Sequence, residues 1–483
     1  MTDARQIFLQ LDPGAREQLW RHVAQAIERY AHQVASLPVA PELSPEKIRA
    51  LLASCTFSQA MHPFAAIDFV ARGLTEFQVH TAHPRYFGLF NPAPATMGIA
   101  ADTLVAAFNP QMAAWSHSPF AAEVEAHLVR AFGSLFGYPD SDGTFCSGGA
   151  EANHTALLTA LTRAFPSYCD EGARTLARQP VFYVSPESHH SFLKAARITG
   201  IGSAAMRTVP ADHRLKMQGP ALRDMIREDR AQGLAPFLVV ATAGTTNAGA
   251  IDPLPELGAI AAEEQLWYHV DAAWGGAAAL VPELRHLLDG IHLADSITFD
   301  AHKWLSVPMG AGLYLTRHRD ILGSTFRTHN NPYMPHDAAG LEIVDPYQHS
   351  MQWSRRFIGL KVFLSLLTAG WDGYAEAIRH QTAMGVLLRD ELRASGWKIE
   401  NETELPVVCF SAQTKDEQSD AQNIVRQIVE SGQAWISTTV IAGRTVLRAC
   451  ITHYGTQPAD VRALVSELNR VLSGVLNGVV VPA

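Results

Sequence analysis

The sequence is poor in cysteine, and it contains no long apolar run. Five cysteines occur among 483 residues, at positions 55, 146, 169, 409 and 450, and no two are spaced as Cys-x-x-Cys. This pattern argues against a disulfide framework or a cysteine-based zinc site, and a cytoplasmic, reducing location is expected. No apolar stretch approaches the roughly 18 residues of a membrane span, and the N-terminal residues lack the basic-then-apolar layout of a signal peptide.

The chain also lacks a run of basic residues. Its formal net charge is -9 and its pI is about 6.1, which argues against nucleic acid or an anionic membrane as a partner. The nearest approach to a metal pair is His80-Thr-Ala-His83. No third ligand accompanies it, so we expect two loop histidines and no metal site.

What the chain does have is an alternation of short apolar runs with helical segments between about 180 and 320. This rhythm predicts an α/β fold with a mainly parallel sheet and helices on both faces. We expect a helical N-terminal segment (1–94), a large domain that carries the sheet (95–369) and a small α+β domain (370–483). The N-terminal helices cannot bury their apolar faces alone, so they must pack on the large domain or on a second subunit. The predicted strands of the large domain are 181–184, 237–242, 266–270, 296–299 and 312–315. Helices are predicted to begin after Asp12 and Ser44, to span 282–288, and to begin again near Ser354 as a long helix.

Two charged residues follow neighbouring predicted strands. Asp271 follows an apolar run within His269-Val-Asp-Ala-Ala-Trp-Gly-Gly, and Lys303 follows the next run within Asp300-Ala-His-Lys-Trp. Ligands bind at the carboxyl ends of strands in open α/β sheets. A lysine there can form a Schiff base with an aldehyde cofactor while a carboxylate keeps a pyridine nitrogen protonated. Taken singly, Lys303 could be a surface lysine and Asp271 a helix N-cap.

A run of small residues precedes a predicted helix at Ser147-Gly-Gly-Ala150. Such a helix start lets backbone N–H groups approach an anion, and the helix dipole favours negative charge there. The run therefore predicts a phosphate site. It is not a Walker loop, since no Gly-Lys-Ser/Thr follows, and Phe145 rules out a Gly-x-Ser-x-Gly elbow.

Four further stretches carry polar or aromatic side chains outside the predicted helices. His189-His190 and Gly244-Thr-Thr246 follow predicted strands, as Asp271 and Lys303 do. The aromatic-rich loop at 83–94 has the composition of a pocket lining. The polar, proline-bearing stretch at 326–340 is typical of a lid.

Together these motifs resemble the group II pyridoxal-phosphate-dependent amino acid decarboxylases, a family that includes aromatic-L-amino-acid and glutamate decarboxylases. The resemblance runs from about residue 10 to 470. It implies fold type I with a seven-stranded sheet, pyridoxal 5'-phosphate as cofactor, and a homodimer whose active sites lie at the subunit interface. It implies decarboxylation of an L-amino acid to the amine and CO₂.

The same resemblance assigns roles by matching position. Lys303 would form the Schiff base and Asp271 would pair with the pyridine nitrogen. His190 would stack on the cofactor ring, with Ala273 on the opposite face. Tyr333 would be the lid residue that protonates the reacting carbon. The other residues implied at the cofactor are Ser147, Gly149, Ala150, Thr246 and His302, and those implied at the substrate are Leu89, Phe90, Asn91, Trp115 and His190.

The substrate stays open at this point. An aromatic L-amino acid is favoured, although Asn91, Gln111 and Ala113 depart from the pattern of aromatic decarboxylases. Glutamate, aspartate or 2,4-diaminobutyrate is the near alternative and would need Arg85, Arg355 or Arg356 in the pocket; helix-start ion pairs are an equally good interpretation of the last two. An aldehyde-forming decarboxylase and a catalytically silent homologue are further alternatives. Tyrosine at position 333 favours the amine product.

Overall fold

The computed structural model describes residues 9–328, 343–412 and 417–476. Within these ranges no helix has the length and apolar character that crossing a membrane requires. The strands are β1 (Asp142–Cys146), β2 (Pro180–Val184), β3 (Met206–Thr208), β4 (Ala235–Thr242), β5 (Trp267–Asp271), β6 (Ser296–Asp300), β7 (Gly312–Thr316), β8 (Lys398–Ile399), β9 (Val407–Ser411), β10 (Ser437–Ile441) and β11 (Arg444–Cys450).

Seven of these strands form the large sheet, in the order β1-β7-β6-β5-β4-β2-β3. Strands β3, β2, β4, β5 and β6 pair in parallel, whereas β7 is antiparallel to both β6 and β1. The predicted mainly parallel α/β sheet is confirmed. Strands β2, β5, β6 and β7 are buried along their whole length, as expected for a sheet that is covered on both faces.

Helices cover the sheet and build the two flanking parts of the chain. Their bounds are α1 (Pro13–Gln33), α2 (Pro45–Ala53), α3 (Pro63–Glu76), α4 (Thr96–Phe108), α5 (Pro119–Leu135), α6 (Gly149–Ala164), α7 (Tyr168–Glu171), α8 (Ser191–Ile198), α9 (Gly219–Ala231), α10 (Leu254–Glu263), α11 (Ala301–Trp304), α12 (Ile321–Phe326), α13 (Leu360–Ala394), α14 (Glu417–Glu430) and α15 (Pro458–Leu476).

The N-terminal helices begin where the sequence predicts. Asp12 caps α1 by accepting hydrogen bonds from the backbone N–H groups of Gly14 and Ala15, and Ser44 caps α2 by accepting one from Lys47. None of α1, α2 and α3 contains a buried residue. Their exposed apolar side chains include those of Trp20, Ile27, Leu52, Val70 and Leu74. A second subunit that covers these faces therefore stays a prediction.

The C-terminal part has a sheet of its own, in the order β10-β11-β9-β8. All its pairings are antiparallel. Helix α13 leads into this part and is broken at Gly370, whose φ of 64° suits glycine. The domain boundary expected near this residue remains a prediction.

Several elements differ from the sequence expectation. Strand β1 and helix α3 were not predicted, and the segment 282–288 holds a 3₁₀ turn (Arg285–Leu288) instead of an α-helix. The long helix expected to begin near Ser354 begins at Leu360. Arg355 donates hydrogen bonds to the buried carboxylate of Glu125, which also accepts a hydrogen bond from the Gly359 N–H. These contacts hold residues 355–359 in a non-helical course.

Candidate active site

The carboxyl ends of β5 and β6 lie side by side in the sheet. Asp271 ends β5 and Asp300 ends β6, and Asp271 pairs in register with Thr298. Lys303 lies on the short helix α11, which begins directly after Asp300. The sheet therefore brings together the two charged residues that the sequence singled out, and it adds a third, Asp300.

Asp271 is buried and its carboxylate is held on both oxygens. Asn153 Nδ2 donates to Oδ2 at 2.7 Å, and the Ala273 N–H donates to Oδ1 at 3.1 Å. Asn153 comes from helix α6 and also contacts Ser191 Oγ at 3.0 Å. The carboxylate thus has a fixed orientation at the strand end.

A buried chain of hydrogen bonds lies behind Asn153. An ionised carboxylate only accepts, so the Asn153 amide nitrogen faces Asp271 and its Oδ1 faces His269 Nε2 at 3.3 Å. We therefore assign the ring proton to His269 Nε2, which also lies 3.3 Å from Thr298 Oγ1. Its Nδ1 then accepts from Ser296 Oγ at 2.8 Å, and Ser296 accepts from Trp267 Nε1 at 2.9 Å. Burial lowers the pKa of His269 to about 4, so this ring is neutral.

Lys303 forms an ion pair with the residue three positions before it. Its Nζ lies 3.2 Å from Asp300 Oδ2. His302 Nε2 lies 3.8 Å from the same oxygen, and His302 Nδ1 accepts from the Ala311 N–H at 3.2 Å. Burial lowers the pKa of His302. Lys303 and Asp300 are therefore the charged pair on this side of the site.

The predicted phosphate turn lies against Asp300. Helix α6 begins at Gly149, so its first backbone N–H groups lack intrahelical acceptors. A Cβ at Gly149 would lie 2.7 Å from Asp300 Oδ2, so this close approach requires glycine. Ser147 donates through its N–H and its hydroxyl to Glu151 Oε2, at 2.8 and 2.7 Å. The turn is therefore tied down at one end, with Ala150 in the first turn of the helix.

Of the two adjacent histidines, His189 has contacts that lead to Asp271 through Ser191 and Asn153, and the role of His190 stays a prediction. The pKa of His189 is lowered, mainly by desolvation. The charge of Asp271 opposes this shift, and the charge of Lys303 adds to it. His189 Nδ1 is held by Ser191 at 2.8 Å. His190 is the N-cap of α8, and both histidines are exposed.

The predicted substrate loop, residues 83–94, lies next to β5 and is called the lip of the site. Phe90 is nearly buried and stacks on Trp274, with ring centroids 4.1 Å apart. Trp274 stacks in turn on Trp304 at 5.2 Å. Leu89 is 52% exposed, and the Asn91 side chain accepts from Tyr86 OH at 3.0 Å. Phe90 is thereby fixed beside the segment that carries Asp271, while the Leu89 side chain remains accessible to solvent.

Arg448, on strand β11, contacts two residues that the sequence predicts at the site. Its guanidinium lies 5.1 Å from the centroid of the Phe90 ring and donates to the carbonyls of Thr246, Asn247 and Gly88. Thr246, predicted next to the cofactor, is thus joined to β11 through its backbone carbonyl. Arg448 lies within an ordinary strand pattern, so no sequence signal marked it.

Trp115 is bound by two acidic residues of this chain. Its indole Nε1 donates to Glu123 at 2.9 Å and its N–H to Asp345 at 2.8 Å. It lines a cavity of about 630 Å³ whose described lining includes Arg355 but neither Lys303 nor Asp271. A substrate role for Trp115 remains a prediction, and Tyr333 lies outside the described residues.

The arginines considered for an acidic substrate are engaged elsewhere. Arg355 forms a buried two-pronged ion pair with Glu125, with contacts of 3.1 and 2.6 Å. Arg356 pairs with Asp102 at 3.2 Å. The ion-pair interpretation of both residues is confirmed. Among the described residues no group of three metal-ligating side chains occurs.

The residues present fit pyridoxal phosphate. A buried carboxylate fixed on both oxygens suits a protonated ring nitrogen, and a lysine at the next strand end suits an aldehyde carbon. The start of α6 offers unpaired backbone N–H groups to a phosphate. Asp271, Lys303 and the turn at Gly149 and Ala150 would hold these three parts.

Comparison with known proteins places this site in a family. The family model described as the pyridoxal-dependent decarboxylase conserved domain matches residues 45–413. An aromatic-L-amino-acid decarboxylase of Bacillus atrophaeus is 30% identical over 456 residues, covering 92% of each chain. An acidic amino acid decarboxylase (GADL1) of Mus musculus is 32% identical over 343 residues, covering 71% of this chain and 62% of its own.

Solved structures agree with these sequence matches. The crystal structure of mouse CSAD superposes with a TM-score of 0.90 at 28% identity, covering 95% of this chain and 99% of that one. The fold, the positions of Asp271 and Lys303 at adjacent strand ends, and the family match agree with one another. The chain therefore belongs to the pyridoxal-dependent decarboxylase family and is a pyridoxal-phosphate-dependent amino acid carboxy-lyase.

Proposed function

We propose that this decarboxylase acts on an aromatic L-amino acid and releases the amine and CO₂. The observation that carries the proposal is the state of the arginines. Of the arginines considered for an acidic side chain, Arg355 and Arg356 are each paired with a carboxylate of the same chain, and Arg85 is bound to the neutral side chain of Gln433 at 3.1 Å. The lip, in contrast, offers the exposed side chain of Leu89 next to the fixed ring of Phe90.

The residues of the chain divide the chemistry among them. When bound, pyridoxal phosphate supplies an electron sink that stabilises the negative charge left by the loss of CO₂. Asp271, oriented by Asn153, keeps a proton on the ring nitrogen. Lys303 would hold the cofactor through its side-chain amine. We assign the stacking role to His189, because Ser191 links its Nδ1 to Asn153, the residue that donates to Asp271.

Arg448 is proposed to orient the substrate and hold the lip. Its charge is shared among carbonyl oxygens of Thr246, Asn247 and Gly88, so it retains positive charge that attracts an amino acid carboxylate. Tyr333 is proposed to donate the proton to the reacting carbon from a closed lid, which also excludes water. Ser147, Gly149, Ala150 and His302 are proposed on the phosphate side, Ala273 against the cofactor ring, and Thr246 beside it.

We further propose a homodimer. The uncovered apolar faces of α1, α2 and α3 support it, because contiguous exposed apolar surface usually marks an interaction site. In such an assembly Trp115 and Gln111 would act in the site of the other subunit. Sedimentation that gives the mass of a single chain at working concentration would contradict this part of the proposal.

A product assay tests the function. The purified protein, loaded with pyridoxal phosphate, is incubated in air with tryptophan, tyrosine, phenylalanine, histidine, 3,4-dihydroxyphenylalanine, glutamate, aspartate and 2,4-diaminobutyrate, and CO₂, amine, aldehyde and peroxide are scored. Amine and CO₂ from an aromatic substrate support the proposal. Turnover of glutamate or 2,4-diaminobutyrate alone overturns the substrate class, and aldehyde with peroxide as the main products overturns the amine outcome. Lys303→Ala is the inactive control.

A further inference from the structure

Asp300 has an environment unlike that of a structural carboxylate. It is 2% exposed, and its Oδ2 lies 3.2 Å from Lys303 Nζ. Its Oδ1 is buried and has no hydrogen-bond partner among the described residues. A buried carboxylate usually has both oxygens satisfied, so Asp300 is held in the interior mainly by the charge of Lys303.

The packing around Asp300 leaves it little room to move. A Cβ at Gly149 would lie 2.7 Å from its Oδ2, and a Cβ at Gly312 would lie 2.9 Å from its Oδ1. Its backbone N–H also donates to the Ala273 carbonyl at 3.0 Å. The carboxylate is therefore fixed beside the amine.

The neighbouring titratable groups do not compete for the charge of Lys303. Burial lowers the pKa values of His302 and His189, so both rings are neutral at neutral pH. Lys361, the other buried lysine nearby, is paired with Asp102 at 3.1 Å. Among the described residues, Asp300 is the carboxylate within ion-pair distance of Lys303.

We propose that Asp300 is the resident counter-ion and proton acceptor of Lys303. The Lys303 ammonium cannot attack a carbonyl carbon until it loses a proton. Asp300 Oδ2 takes that proton, so that the nitrogen regains its electron pair and the carboxylate becomes a carboxylic acid, with no change in net charge. Once a carbon is attached to Nζ, the same carboxylate, again ionised, stabilises positive charge on that nitrogen. This inference rests on the proposed role of Lys303.

The test is a pH titration of the visible absorbance band of the cofactor-loaded protein. The isosteric variant Asp300→Asn removes the charge and keeps the volume, so the midpoint of the titration should move to lower pH by about 1 to 3 units. Asp102→Asn, which removes the carboxylate beside Lys361, is the matched control and should leave the midpoint unchanged. A midpoint that moves by less than about 0.3 unit in Asp300→Asn, well below that range, overturns the proposal.

A second measurement covers the case in which Asp300→Asn binds cofactor poorly. Thermal unfolding is followed without added cofactor in four proteins: wild type, Asp300→Asn, Lys303→Met and the double variant. Lys303→Met leaves a buried charge unpaired, so adding Asp300→Asn should raise its unfolding temperature. An equal lowering by Asp300→Asn in both backgrounds overturns the inference. A wild-type protein that never develops the visible band contradicts the role of Lys303 itself, which separates the two failures.

Discussion

Asp271 and Asp300 end adjacent strands and are both buried, yet their surroundings differ. Asp271 accepts from Asn153 and from the Ala273 N–H, so each oxygen has a neutral donor. Asp300 contacts Lys303 with one oxygen, and the other has no partner among the described residues. Neutral donors orient a carboxylate without cancelling its charge, whereas an ion pair couples it to the protonation state of its partner.

The comparison shows how one sheet edge prepares two tasks. A carboxylate that must keep a ring nitrogen protonated should retain its charge throughout the reaction, and Asp271 is supported for that. A carboxylate beside a reacting amine must exchange protons, and Asp300 is placed for that. Substitutions at Asp271 and in the hydrogen-bond chain behind it test this assignment, and the largest loss of turnover is expected at Asp271.

Asp271→Asn should have the largest effect. It removes the negative charge while keeping the shape, so a ring nitrogen there is no longer held in its protonated form. We expect kcat/KM to fall by about 100- to 1,000-fold, the range seen when a preorganised electrostatic group is lost. The cofactor content of the variant, measured by absorbance after denaturation in alkali, should stay close to that of the wild type. A variant with more than a tenth of wild-type activity would contradict the role of Asp271.

Asn153→Ala should have a smaller effect of the same kind. It removes the donor at 2.7 Å from Asp271 Oδ2 and leaves the charge in place. A hydrogen bond to a charged group contributes about 1.5–3 kcal/mol, so we expect kcat/KM to fall by about 10- to 100-fold. The double variant with Asp271→Asn should lose little more than Asp271→Asn alone, because Asn153 acts through that carboxylate. Fully multiplicative losses would mean that Asn153 acts independently.

The sequence was sufficient for the framework of the site. The predicted strands that deliver Asp271 and Lys303 are β5 and β6, because unbroken apolar, β-branched runs with a charged residue at the end are specific to such strand ends. Strand β1 was missed since its sequence, Asp-Gly-Thr-Phe-Cys, is poor in β-branched residues. Its strand geometry comes from antiparallel pairing with β7, which is a tertiary contact.

The partners of the site residues were beyond local pattern. Asn153 lies 118 positions before Asp271 and looks like an ordinary polar helix residue. The choice between His189 and His190 depends on the direction of two adjacent side chains, which periodicity does not resolve. Arg355 and Arg356 read equally well as substrate ligands or as ion pairs, and only their contacts with Glu125 and Asp102 decide.

Acid should weaken the fold through His269, behind Asn153. Its pKa is about 4 in the folded chain and 6.5 ordinarily, so the unfolded chain binds more protons between these values. The stabilisation is complete above about pH 6.5 and is lost as pH falls towards 4, by about 3 kcal/mol in total. Asp252, whose pKa burial raises to about 6, contributes with the opposite sign.

Chemical denaturation at several pH values checks this expectation. His269→Asn should flatten the decline in the free energy of unfolding between pH 6.5 and 4, although its stability at pH 7 is lower. His286→Gln, which removes an exposed histidine paired with Glu404, is the control and should leave the slope nearly unchanged. Equal slopes in wild type and His269→Asn would show that another group governs the acid response.

Ser296→Ala should have the smallest effect on turnover. Ser296 lies behind His269 and Asn153 in the hydrogen-bond chain that leads to Asp271. The hydroxyl donates to His269 Nδ1 and accepts from Trp267 Nε1, so its loss leaves two buried groups unpaired. We expect a destabilisation of about 1–3 kcal/mol, measured by chemical denaturation at pH 7. Turnover should fall less than in Asn153→Ala, because His269 can keep its Nε2 proton towards Asn153. If Ser296→Ala reduced kcat/KM as much as Asn153→Ala at full cofactor content, the whole hydrogen-bond chain, and not Asn153 alone, would set the orientation of Asp271.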